Sequence, residues 1–304
     1  MKYIINITIL AIIAVILFKT EFVDISEYDF INFYNWKFIT LVFFFGGLSQ
    51  YLMFLRWFRF VRFVGVDVPK DILIYWHFKG ILIGYFILGF IATDMSRTFD
   101  IGSSDNRSKI KESIIRPAQA TLLDRLVSLT SLVLTSILAL TLLTKQINLL
   151  TILVSSLIAL CVSGFIIVLF YKFLKQKKYQ FYLLNLLKLL KDRLHEATKS
   201  GFLWWQLALS IFANLAMGVS FFLLVGADLD FFAYTVSVLS VSNLSAVVPI
   251  SPSGLGFGEG ISEYLLRSKL ITTGAEALIL MRLLNLILTT GFLVFSVVQH
   301  KVKK

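Results

Sequence analysis

The sequence predicts an all-α integral membrane protein. It should contain about six transmembrane helices, two opposed re-entrant helical hairpins in an inverted repeat, and one interfacial amphipathic helix. Three observations carry this expectation. Of 304 residues, 58% are hydrophobic and only 15% charged, which is too apolar for a water-soluble domain of ordinary composition. Several apolar runs reach the ~20 residues needed to cross a roughly 30 Å hydrocarbon core. The loops between the runs are sorted by charge, basic against acidic, as the positive-inside rule sorts them.

The N-terminal "MKYIINITILAIIAVILFKT" places Lys2 before an apolar stretch, as a signal peptide does. It lacks a small-x-small cleavage site and closes at Lys19, so 3–18 reads as a retained helix. The acidic segment 19–36 and a span at 37–55 follow. The segments 56–70, with Arg56, Arg59, Arg62 and Lys70, and 96–116, with Arg97, Arg107, Lys109, Lys111 and Arg116, are both basic and therefore both cytoplasmic. The apolar stretch 71–95 between them must enter and leave on one side, and Gly80, Gly84 and Gly89 give it places to bend. A simple span with a basic external loop is the alternative. A span at 122–144 closes this half.

The second half repeats the pattern upside down. A span at 147–174 ends at the basic 172–199, a span at 202–226 leads to the acidic "GADLD", and a span at 275–298 returns to Lys301, Lys303 and Lys304. The region 231–270 then starts and finishes outside, a second hairpin broken at "VVPISPSGLGFGEG"; Arg267 and Lys269 on that side stand against it. Halves 1–144 and 147–298 each read span, span, hairpin, span in opposite orientation, a plan shared by many transporters. Within 176–199, Leu183, Leu186, Leu187, Leu190 and Leu194 share one helical face. Asn185, Lys188, Asp192, His195 and Lys199 share another, as in a helix lying on an anionic leaflet. The expectation is one membrane domain over 1–304, in a plasma membrane such as the bacterial inner membrane, with both termini cytoplasmic.

The net charge of +11 sits beside apolar runs, which points to anionic lipid headgroups rather than nucleic acid. The lone Cys161 and the scattered His77, His195 and His300 offer no metal spacing, and no cofactor motif is present. A charge near the bilayer centre costs roughly 2.5–3.5 kcal/mol, so persistent ones pair or line a cavity. The candidates are Lys79, Asp94, Arg97, Asp124, Arg125, Glu259, Glu263 and Arg282. Mutual salt bridges between helices are one reading. Another is an anionic guest such as a phosphate, held by Arg97, Arg125 and Arg282. At the tip of the second hairpin, Pro249 and Pro252 end one arm and Gly254 and Gly256 free the backbone. Glu259 then faces the N–H groups of the next arm, as part of an anion site or simply as that helix's cap.

These residues resemble a known family. "VVPISPSGLGFGEG" is similar to the Pro-x-Ser-Pro-Gly-Gly-Leu-Gly-x-x-Glu signature of the lysylphosphatidylglycerol synthase transmembrane region, a flippase-like family also called uncharacterised-0104. The match falls on Pro249, Ser251, Pro252, Gly254, Gly256 and Glu259. "TDMSRTF" resembles the family's Gly-Asp-x-x-Arg element at Asp94 and Arg97, and "TLLDRLVSLT" its Leu-x-Asp-Arg element at Asp124 and Arg125. The order through Arg282 follows along essentially the whole chain. Ser253 and Thr93 replace family glycines, and "LGFIA" lacks the usual proline.

The resemblance implies a lipid flippase or transporter moving an anionic phospholipid or a polyprenyl-phosphate-linked lipid between leaflets. No synthase domain follows within these residues, so aminoacylation and enzymatic activity are not expected. Two alternatives stay open: an integral-membrane transferase using Asp94 or Glu259 as base, and a non-catalytic scaffold for envelope-lipid enzymes.

Overall fold

The structure, a computed structural model, describes residues 36–86, 89–104, 110–141, 190–245 and 256–302. Among these every regular element is helical: α1 (Trp36–Phe63), α2 (Lys70–Phe86), α3 (Phe90–Ser104), α4 (Ile110–Thr141), α5 (Phe202–Val225), α6 (Phe232–Ser245), α7 (Phe257–Arg267) and α8 (Gly274–Val302). A 3-10 turn at Leu229–Phe231 leads into α6, and residues 190–199 are helical too. The expected spans at 3–18 and 147–174 lie outside the described residues, as do 176–189 of the amphipathic segment and the tip at 246–255.

Four helices are long and apolar enough to cross a bilayer: Lys37–Phe63, Ile115–Ala139, Phe202–Val225 and Gly274–Val298. This is the construction of a membrane protein. Its polarity runs inside out: Phe44, Phe212, Ile287 and Phe295 are exposed, while Gln50, Arg56, Asp124, Gln206 and Asn214 are buried. Lipid imposes no penalty on the first set, and the second must find partners inside. α1 lies along α5, α4 packs against α5 and α6, and α8 leans on α2 and α7. An aromatic core of Phe54, Trp57, Phe60 and Phe78 joins α1 to α2, and Phe78 stacks on Phe292 with ring centroids 4.7 Å apart.

Two boundaries differ from the sequence expectation. Arg56, Arg59 and Arg62 do not lie in a loop, because α1 continues through them to Phe63. Trp57, Phe60 and Val61 are fully buried, so this turn is held by packing. α1 stops in a Schellman motif at Gly65 (φ +83°), whose N–H reaches Arg62 O while Val66 N–H reaches Val61 O. Likewise 96–116 is largely helix: α3 runs to Ser104, and α4 starts at Ile110 and continues through Pro117. Of the charges that suggested a loop, Arg56 pairs across helices instead, with Asp124 at 2.6 Å.

α2 and α3 are short, about 25 and 22 Å at 1.5 Å per residue, and pack on each other across the turn at Gly89. The contact is tight. A Cβ at Gly84 would stand 2.6 Å from the carbonyl oxygen of Gly89 and also meet Thr93 Oγ1, whereas one at Gly291 would meet nothing within 4 Å. Gly84→Ala is therefore expected to destabilise the fold by about 1–3 kcal/mol through overpacking. Gly291→Ala should leave the unfolding midpoint in detergent unchanged, and equal midpoints for both variants would show that the two helices are loosely held. α6 and α7 also pack on each other.

The described end of the amphipathic segment also differs in what it covers. Leu190 and Leu194 rest on the aromatic core beside Phe63 and Phe202, with Lys191, Asp192, His195, Glu196 and Lys199 exposed. In these residues the apolar face covers protein, and only the polar face remains for headgroups or water.

Candidate functional site

A cavity of about 250 Å³ opens where α1, α2, α3, α4, α6 and α8 converge, and it is lined by Arg56, Arg97, Arg125 and Arg282 together with Gln50, His77, Asp124, Asn243 and Asn285. The helical register explains the convergence. Asp94 and Arg97 are one turn apart on α3, and Asp124 and Ser128 are one turn apart on α4. Arg282 and Asn285 hold the same spacing on α8.

Three of the arginines are matched. Arg56 Nε donates to Asp124 Oδ1 at 2.6 Å and its Nη2 to Oδ2 at 3.2 Å, a bidentate pair with both side chains nearly fully buried. Arg56 also donates to Ser210, whose hydroxyl meets Ser131, and Ser131 accepts from Asn214 at 3.0 Å. Arg125 grips Asp94 through Nε at 2.5 Å and Nη2 at 2.7 Å. Arg282 Nε lies 3.1 Å from Oε1 of the fully buried Glu259.

Arg97 is the exception. Its nearest carboxylate oxygen is 4.0 Å away, on an Asp94 already engaged by Arg125. Its Nη2 reaches only the carbonyl of His77, at 3.5 Å, and its Nε has no hydrogen-bond partner among the described residues. The guanidinium stands 5.3 Å from the Trp57 ring centroid, a cation–π contact that holds the side chain without neutralising it. Gly80 makes room for it, since a Cβ there would come within 2.9 Å of Arg97 Cγ. Counted together, Arg56, Arg97, Arg125 and Arg282 face Asp94, Asp124 and Glu259, leaving one positive charge in excess.

Neutral groups around the cavity are also unsatisfied. Both ring nitrogens of His77 and the Oε1 of Gln50 are buried without partners among the described residues. Buried polar atoms are rarely left so unless something else binds them. Among the described residues no cluster of His, Cys, Asp and Glu could hold a metal ion.

Of the residues singled out from the sequence, Asp94, Arg97, Asp124, Arg125, Glu259 and Arg282 are brought together. Gly256 (φ +86°) begins α7, and its N–H donates to Glu259 Oε2 at 2.8 Å. Glu259 thus caps its own helix and pairs with Arg282 at the same time. Pro249, Ser251, Pro252 and Gly254 lie outside the described residues. Lys79 is engaged by Asp100, away from the cavity lining. Glu263 accepts from the N–H groups of Gly274 and Ala275 at 3.1 Å each, so it caps α8. Sequence reasoning missed Arg56, His77 and Gln50. The signal for Arg56 was its place beside Trp57 and one turn before Phe60, large aromatic residues that a helix can bury.

No protein-family model matches the chain, nor does any curated protein or solved structure. The resemblance to the flippase-like family is carried by the quoted motifs.

Proposed function

We propose that this protein is a flippase-like lipid transporter without enzymatic activity, moving an anionic phospholipid or a polyprenyl-phosphate-linked lipid between leaflets. The observation that carries this reading is Arg97, a buried guanidinium without a committed carboxylate in a cavity among apolar helices. A phosphate is the simplest group to match it, accepting two parallel N–H donors. The cavity volume is below the ~300–1,000 Å³ of pockets that enclose a drug-sized ligand. It suits a headgroup, with the tails left in the bilayer. Four apolar helices supply the membrane setting.

In this reading the pairs α2/α3 and α6/α7 are the two re-entrant hairpins of an inverted repeat, entering from opposite sides of a plasma membrane with both termini cytoplasmic. The shortness of α2 and α3 and the glycine contact at their turn support it. The Lys-rich polar face of 176–199 then meets anionic headgroups on the cytoplasmic leaflet.

Two experiments test the reading. In a Cys161→Ser background, single cysteines at positions 107 and 185 are expected to be labelled from the cytoplasmic side only, and those at 27 and 229 from outside only. Labelling of position 107 from outside removes the first hairpin. In proteoliposomes, anionic phospholipids or polyprenyl phosphates are expected to cross leaflets faster than without protein. A panel in which none does would reject transport.

A further inference from the structure

The geometry points to Glu259 as a proton-carrying group: binding of an anionic headgroup at the cavity draws Arg282 away from Glu259, and one proton from water takes its place on the carboxylate. This rests on the transport reading of the cavity and adds to it a coupled ion.

Three carboxylates pair with the cavity arginines: Asp124 is held by two hydrogen bonds from Arg56, which Ser210 also fixes, and the surroundings of the other two differ. Asp94 is 18% exposed at the side chain and lies near two guanidinium groups, Arg125 and Arg97. If one turns to a ligand, the other remains. Glu259 is fully buried. Its Oε2 accepts from the Gly256 N–H, and its Oε1 has no hydrogen-bond partner among the described residues, leaving the Arg282 ion pair as its compensation.

Among the described residues, the elements packed against α7 offer no substitute cation near Glu259. α6 carries one titratable side chain, Tyr234, whose hydroxyl donates to Leu265 O at 2.6 Å. α8 carries Glu276 and Arg282 in its buried half, with His300 and Lys301 at its far end. On α7 itself, Glu263 is held by Arg267 and by the start of α8, and Tyr264 is exposed. Across the cavity, α2 adds Tyr85 and His77. The segment 246–255 contains no ionisable residue.

Arg282 lines the cavity and Glu259 does not. Arg97 and Arg282 both line the cavity; a headgroup phosphate that spans it takes Arg282 as a second donor from α8, and that contact competes with the Glu259 pair. Glu259 is fully buried, and a buried carboxylate stripped of its counter-ion is strongly disfavoured in its charged form, so it binds a proton. The charges balance. The empty site holds one excess positive charge; a singly charged anion and one proton enter together, and the excess is unchanged. Both leave together when Arg282 returns to Glu259. By linkage, anion affinity then falls as pH rises, by up to about tenfold per pH unit.

The test uses the purified full chain in detergent and dihexyl phosphate, a phosphodiester that does not titrate near neutral pH. Calorimetric titration in two buffers of different ionisation enthalpy gives the protons taken up per anion bound. The expected result is binding that Arg97→Gln weakens at least tenfold, with uptake of about one proton in the wild type and none in Glu259→Gln. Binding with no proton uptake in the wild type overturns the proton role while leaving the anion site standing, and needs no variant to fold. Uptake that persists in Glu259→Gln assigns the proton elsewhere and also overturns it. Absence of any Arg97-dependent binding overturns the anion site on which the inference rests.

Discussion

Asp124→Ala is expected to destabilise the protein by about 3–5 kcal/mol, because it leaves a buried guanidinium without its counter-ion. Asp124 and Arg56 are 3% and 5% exposed, and the two hydrogen bonds between them join α4 to α1 at the centre of the helix packing. The same guanidinium anchors the Ser210, Ser131 and Asn214 chain that ties in α5. Losing the carboxylate therefore disturbs three helices together. The reciprocal experiment separates charge from shape. Asp124→Leu combined with Arg56→Met removes both charges and keeps side-chain volume, and is expected to recover most of the loss, since apolar replacement of a buried pair is often neutral or better. Equilibrium unfolding in detergent measures both. If Asp124→Ala lowers stability by less than about 1 kcal/mol, the level of an exposed pair, water reaches this pair and the packing account of α1 and α4 is wrong.

The long apolar helices were legible because length and hydropathy alone define them, and α5 and α8 begin and end within a few residues of the expected positions. The candidate charges were legible for the same reason: an ionised side chain in an apolar run is conspicuous. Their partners were not. Asp94 stands three residues before Arg97, yet its short contacts are to Arg125 on another helix. Pairing across helices is a property of packing that spacing within one helix does not report. The same limit explains Arg56 and the helical stretches at 96–104 and 110–116. Charge density reads as loop when each charge is counted alone, whereas Arg56 is a helical residue whose partner, Asp124, lies on another helix. Glu259 illustrates a different limit. From the sequence, Glu259 is either part of an anion site or its helix's cap; in the structure its two carboxylate oxygens let it cap α7 and pair with Arg282 at once.

Arg97→Gln is expected to abolish leaflet transport while leaving the fold intact. Most buried arginines could not be removed so cleanly, because a carboxylate would be stranded; Asp94, however, keeps both hydrogen bonds from Arg125 when Arg97 is neutralised. What is lost is the uncommitted guanidinium, and hydrogen bonds to charged groups contribute about 1.5–3 kcal/mol, so anion binding should weaken by roughly 10–150-fold. Gly80→Ala, whose Cβ would crowd Arg97 Cγ and Nε, is expected to impair transport part-way by displacing the same side chain. The most direct measurement is the rate at which a fluorescent anionic phospholipid crosses leaflets in proteoliposomes, normalised to folded protein, for wild type and Arg97→Gln. The account predicts transport well above protein-free vesicles for the wild type and a rate at the protein-free level for the variant. Equal rates for the two proteins, with both correctly folded, would contradict it.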